Sequence, residues 1–134
     1  MKLTLNDINQ GYAACIKLKD EKLNIKTAYK LLKLANDLEE EFKQYENFVK
    51  EIVLKYCDKD EEGNPKKITT ENGEEGISIL EENQDILQKE INDLLNAEID
   101  FKDYKFEFKD FENLSFSLTE IIGLVPFIKN EENE

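Results

Sequence analysis

The chain has 134 residues, with 31 acidic and 18 basic side chains, no His and a formal net charge of −13. All 18 basic residues are Lys; Arg and Trp are absent. Missing His removes the commonest general base and zinc ligand, which excludes Ser-His-Asp and Cys-His catalysis within this chain; missing Arg and the acidic excess argue against direct nucleic-acid binding, which needs a basic footprint.

The charge is uneven. Residues 1–57 hold ten Lys and nine acids, a net of +1. Residues 58–134 hold eight Lys and twenty-two acids, a net of −14. The first helix is expected over 6–20, capped by Asn6 or Asp7, with Ile8, Tyr12, Cys15 and Ile16 at helical spacing. Gly11 weakens it. Leu3 and Leu5 alternate with Lys2 and Thr4, which suits a short N-terminal strand.

Residues 25–57 carry the strongest pattern. Asn24 or Thr27 supplies a cap. From there Ala28, Leu31, Ala35, Leu38, Phe42, Tyr45, Val49, Ile52 and Tyr56 step by alternating threes and fours, a heptad seam without Gly or Pro. Leu32, Leu34, Phe48 and Val53 widen the stripe, so the helix is expected to meet more than one neighbour. One arm of an intramolecular helical hairpin is favoured over a homodimeric coiled coil through residues 28–56.

Residues 58–79 read as an acidic loop, with a hairpin of 67–70 and 76–79 or a mobile loop as alternatives. Asp58, Asp60, Glu62 and Gly63 match the first positions of a calcium-binding loop. The match fails further on, where Lys66 and Thr69 stand at ligand positions, so no metal or other cofactor is expected. Paired carboxylates such as Glu61-Glu62 and Glu81-Glu82 read as solvated helix faces. A metal-dependent enzyme is the least favoured class, and a non-enzyme is expected. Residues 80–97 form another helix through Leu80, Leu87, Ile91 and Leu94, able to return antiparallel along the long one.

Over 99–116 the period changes. Tyr104, Phe106 and Phe108 alternate with charged residues, and seven of the thirteen aromatics lie between Phe101 and Phe127. Asp100, Asp103, Tyr104, Phe106, Glu107, Phe108, Asp110 and Glu112 are therefore the candidate partner-binding residues. The alternative is that the aromatics complete the core while the acids face water. Ser117 to Glu120 reads as a capping box for a short helix over 117–123, stopped by Gly123 and Pro126, with a frayed tail at 130–134.

The expected fold is mainly α with a small β component, a single domain over 1–134. No stretch approaches the length of a membrane-spanning helix, and the N-terminus turns polar too soon for a signal peptide. Cys15 and Cys57 stand far apart without a CxxC and read as apolar fillers in a reducing compartment.

Several segments resemble a family of small phage and prophage proteins of unknown function. They are Met1 to Ile8, Ile25 to Leu32 before a Glu/Lys-rich helix, Tyr56 followed by Asp60-Glu61-Glu62-Gly63, and Leu118 to Ile128. The family pattern has Pro before the Ile of the second segment; here Asn24 stands there, which changes the capping only. The resemblance implies a bacteriophage origin and a non-catalytic role, and carries over no catalytic residue. The expected function is a phage protein that binds a phage structural or host protein, in the host cytoplasm or the virion. The alternative is an anti-defence (anti-CRISPR-like) inhibitor that mimics nucleic acid through the acidic second part.

Overall fold

The computed structural model describes residues 1–129; the tail at 130–134 lies outside them. The fold is α+β and mainly helical. In chain order it runs β1 (Lys2–Thr4), α1 (Leu5–Leu18), α2 (Ile25–Tyr56), β2 (Lys67–Thr69), β3 (Glu75–Ile77), α3 (Gln84–Leu95), β4 (Glu98–Asp100) and α4 (Leu118–Leu124). Short 3-10 turns occupy Glu81–Asn83, Phe108–Phe111 and Val125–Phe127. The chain divides into two compact units. Among the described residues one holds 1–43 with 96–129, the other 44–95, and α2 contributes to both.

The first unit starts from a strand tied down at once. β1 pairs antiparallel with β4, placing Leu3 opposite Ile99. The α1 cap is Thr4, two residues before Asn6 and three before Asp7: its hydroxyl accepts the Asp7 N–H at 3.1 Å, and the Asp7 carboxylate accepts the Thr4 N–H at 3.0 Å. Satisfying both orphan donors locks the strand-to-helix corner. Asn24 caps α2 by accepting the Thr27 N–H at 3.0 Å.

Helices α1 and α4 cross closely because each has a glycine at the contact. A Cβ on Gly123 would collide with the Gln10 carbonyl, and one on Gly11 would stand 3.0 Å from the Phe127 ring. Gly123 thus does not stop α4, which continues to Leu124; it lets the two backbones meet. Beneath the crossing lie Ile8, Leu34, Leu38, Leu124 and Phe127, all nearly inaccessible.

The segment after β4 differs from the expected strand. Only Phe106 bridges, in parallel, to Ile128: its N–H donates to the Phe127 carbonyl and its carbonyl accepts the Lys129 N–H, both at 2.7 Å. The chain then turns into Phe108–Phe111, because Asp110 reaches back to cap it. Rings of Phe101, Tyr104, Phe127, Phe106, Phe111 and Phe116 pack in neighbouring pairs at 5.4–6.1 Å, a spacing suited to tilted and edge-on contact.

The second unit is built on the last turns of α2. β2 and β3 form the expected hairpin, pairing Ile68 with Gly76. Its turn uses Gly73 at φ +80°, a conformation that favours glycine. Further hydrogen bonds extend the pairing: the Asp58 N–H donates to the Ser78 carbonyl and the Ser78 N–H to the Lys66 carbonyl, both at 2.8 Å. α3 is anchored to the end of α2 by Tyr56, whose hydroxyl donates to Glu90 at 2.7 Å, and by Asn83, which donates to the Tyr56 carbonyl at 3.3 Å. None of the residues of α3 is fully buried.

Candidate functional site

The eight candidate residues of the aromatic-acidic segment fall into three groups. Tyr104 and Phe106 are core residues, 6 % and 1 % exposed. The Tyr104 hydroxyl donates to the Asp37 carboxylate on α2. Burial, then that hydrogen bond, pushes the Tyr104 phenol up to about 12. The Lys30 ammonium donates to the Lys105 carbonyl and sits 4.5 Å over the Phe106 ring, so a cation covers the aromatic from outside.

Four of the acids serve local architecture. Asp100 pairs with Lys2 at 3.4 Å, and Asp103 with the N-terminal ammonium at 2.9 Å. That ammonium holds the Asp103 carboxyl below the usual carboxylate range, chiefly by hydrogen bonding. Glu107 and Asp110 cap each other around the 3-10 turn, and Lys109 pairs with Glu107 at 3.0 Å. Phe108, 55 % exposed, and Glu112 are exposed like Asp100, Asp103 and Glu107, but take no part in these pairs and caps.

The calcium-like loop is used for folding. The Asp60 carboxylate accepts the N–H groups of Glu62 and Asn64, both at 2.9 Å, while Asp58 faces Lys66 at 3.6 Å. Gly63 takes the positive φ that closes the turn. Among the described residues no three His, Cys, Asp or Glu side chains converge on a metal-sized point. Cys15 and Cys57 are free thiols and buried. Burial pushes the Cys15 thiol up to about 12, which makes it a poor nucleophile.

The feature that sequence reasoning missed lies in the second unit. Val49, Val53 and Leu54 of α2, with Ile77 and Ile79 beside them, line a groove of about 520 Å³ in which Lys50 is the sole polar lining residue. Phe48, Leu54, Ile68, Ile77, Leu80 and Ile86 of this unit are all at least 37 % exposed. A groove that binds a small polar molecule needs several placed donors and acceptors to orient it. This one offers aliphatic walls and a single Lys. The signal for it was the widened stripe of α2, which α3 is too short to cover along its length.

The seam of α2 is spent differently at its two ends. Leu31, Leu34 and Leu38 are buried within the chain itself, and Tyr12 stacks on Phe42 with centroids 4.9 Å apart. Those buried side chains are not available to a second helix, while Ile25, Tyr29 and Leu32 of the same part are exposed. No helix among the described residues is long and apolar enough to cross a membrane. Comparison with family models, curated proteins and solved structures yields no match.

Proposed function

We propose that this chain is a non-catalytic bacteriophage protein that acts by binding another protein, through the groove of residues 44–95. The observation that carries it is the groove itself: five aliphatic walls and one Lys, with further exposed apolar residues beside it. An apolar concavity of this kind on a charged surface marks an interaction site. The absence of His and the elevated Cys15 thiol leave little for nucleophilic or acid–base catalysis. The resemblance of Met1 to Ile8 and Leu118 to Ile128 to phage proteins supports the origin. The test is affinity capture from infected cells with the full chain and with Leu54→Glu. A stoichiometric protein retained by the first and lost by the second supports the proposal; a partner held equally by both overturns the assignment to the groove.

A second function is favoured by one observation. Glu71, Glu74, Glu75, Glu81 and Glu82 are all exposed on and after the hairpin. Such a carboxylate row suits mimicry of a nucleic-acid backbone toward a basic groove on a nuclease. It predicts binding that weakens steeply with salt and with Glu→Gln substitutions in this row. Affinity indifferent to both rejects mimicry.

A further inference from the structure

The start of α2 has two opposite faces. Thr27, Leu31 and Leu34 are buried and pack it onto the rest of the first unit. Ile25, Tyr29 and Leu32, four and three residues apart, share the other side and stand 84 %, 59 % and 55 % exposed. Leu32 and Ala28 also border a cleft of about 200 Å³, which Cys15 and Leu18 close from the side of α1. The exposed apolar stripe therefore continues toward the end of α1, where Ile16 is exposed as well.

The charge around this stripe runs against that of the whole chain. Residues 16–33 hold six Lys against two acids, Asp20 and Glu21, in a chain of net −13. Lys26 and Lys33, seven residues apart, line one flank of the stripe, and Lys33 lies 4.8 Å over the Tyr29 ring. Lys19 lines the cleft on the α1 side, and the exposed Lys22 stands in the turn before α2. The segment beside Lys30, residues 102–107, holds two Lys and two acids and adds no net charge. Salt at physiological strength screens exposed charges beyond about 8 Å, so the local cations govern what approaches this face.

We propose that this face lies on an anionic lipid surface, with Ile25, Tyr29 and Leu32 entering the boundary of headgroups and acyl chains and Lys19, Lys22, Lys26 and Lys33 meeting lipid phosphates. An exposed apolar stripe flanked by Lys is the pattern of a helix that lies in a membrane interface, and each cation near such a surface adds to the attraction. Shape favours lipid over an acidic protein. Ile25 stands out from the first turn of α2, and a fluid apolar phase receives a projecting side chain without a matching pocket. The contact is peripheral: no helix among the described residues is long and apolar enough to cross a bilayer. Leu118 and Ile122 of α4 are exposed too, yet residues 110–128 hold Asp110, Glu112 and Glu120 and no Lys, so an anionic surface repels that stripe.

The test is flotation of the full chain with vesicles of phosphatidylcholine alone and of phosphatidylcholine mixed with phosphatidylglycerol, at low and physiological salt. Flotation with the mixed vesicles only, stronger at low salt, is expected. Lys26→Gln with Lys33→Gln should weaken it roughly thirtyfold, since each Lys near an anionic surface is worth about fivefold in affinity. Ile25→Asn with Leu32→Asn should weaken it at unchanged charge. No flotation with the mixed vesicles, equal flotation with both kinds, or full binding by either double variant overturns the proposal. Leu54→Glu, in residues 44–95, is expected to float like the parent, and its failure to float overturns the assignment to this face. A protein captured from infected cells by the parent and lost by the Lys double variant, without vesicle binding, assigns the face to an acidic protein instead and overturns the lipid contact. All four substituted positions are exposed, so the far-UV circular dichroism spectrum should be unchanged. If the apolar double variant unfolds, Tyr29→Asn spoils the same stripe, and the Lys variant and the lipid comparison decide as before.

Discussion

Of the seventeen buried apolar residues among those described, sixteen belong to the unit of residues 1–43 and 96–129, and one, Cys57, to residues 44–95. The two units are made from the same kinds of residue, and each contains part of the same helix. What separates them is where the covering elements come from. In the first, α1, α4 and the aromatic segment bring glycines, aliphatics and rings onto α2 at close range. In the second, a hairpin with three-residue strands and a twelve-residue helix must cover the last turns of α2. A unit of about 50 residues is near the size at which one core ceases to suffice. The comparison teaches that a uniform heptad pattern does not imply uniform burial: its two ends are used for folding and for display.

The sharpest way to break that contrast is to remove a ring from the first unit. Phe106 is 1 % exposed, and Phe106→Ala is expected to cost about 3–5 kcal/mol in chemical denaturation. Val53→Ala, in the half-buried groove wall, is expected to cost below about 1.5 kcal/mol, because only part of its side chain leaves water on folding. Equal costs at both sites would erase the distinction between a packed and an open unit.

Gly123→Ala tests the helix crossing. The added Cβ meets backbone, the Gln10 carbonyl, which cannot swing away as a side chain does. The expected destabilisation is about 1–3 kcal/mol, the usual range for overpacking. Alanine is the better helix former, so a gain in stability would show that α1 and α4 separate freely.

The two glycines show where the sequence was legible and where it was not. The helices themselves were readable: α2 was expected over 25–57 and spans Ile25–Tyr56, and the hairpin, β1 and the final helix stand close to their expected positions. Periodicity and caps are local signals, and the local structure obeys them. Gly11 and Gly123 were read locally too, as a weak point and a stop. Their actual role depends on two helices more than one hundred residues apart in sequence, which no local rule encodes. Alternation likewise marked Tyr104 and Phe106 as half-buried strand residues. A ladder needs a partner strand, however, and Phe106 finds a single bridge at Ile128 while Asp110 caps the chain into a turn. The groove was hidden for the same reason: its walls come from residues 49–54 and 77–79, and its openness depends on how far α3 reaches.

A pH measurement sharpens the first unit further. Burial raises the Tyr104 phenol to about 12 from an ordinary 10.0, so folding favours its protonated form. The stability this contributes is complete below pH 10 and is lost as pH rises toward 12. Cys15, raised to about 12 from 9.0, falls in an overlapping window, so the experiment belongs in a Cys15→Ala background. There, Tyr104→Phe is expected to flatten the alkaline decline in melting temperature. An unchanged decline would assign it to other groups and remove Tyr104 from the anchoring of α2 through Asp37.

The smallest expected effect on stability falls on the second unit. Leu54 is 44 % exposed and lines the groove. Leu54→Asn removes apolar surface that folding has only partly withdrawn from water, so the melt of a dilute sample should shift by no more than about 0.5 kcal/mol. Leu38→Ala, on the same helix with its side chain fully buried, is expected to cost about 2–5 kcal/mol. A large loss at Leu54 would mean that the groove walls act as core and that the second unit closes on itself. A negligible loss separates the surface that folds this chain from the exposed surface that the proposed binding would use.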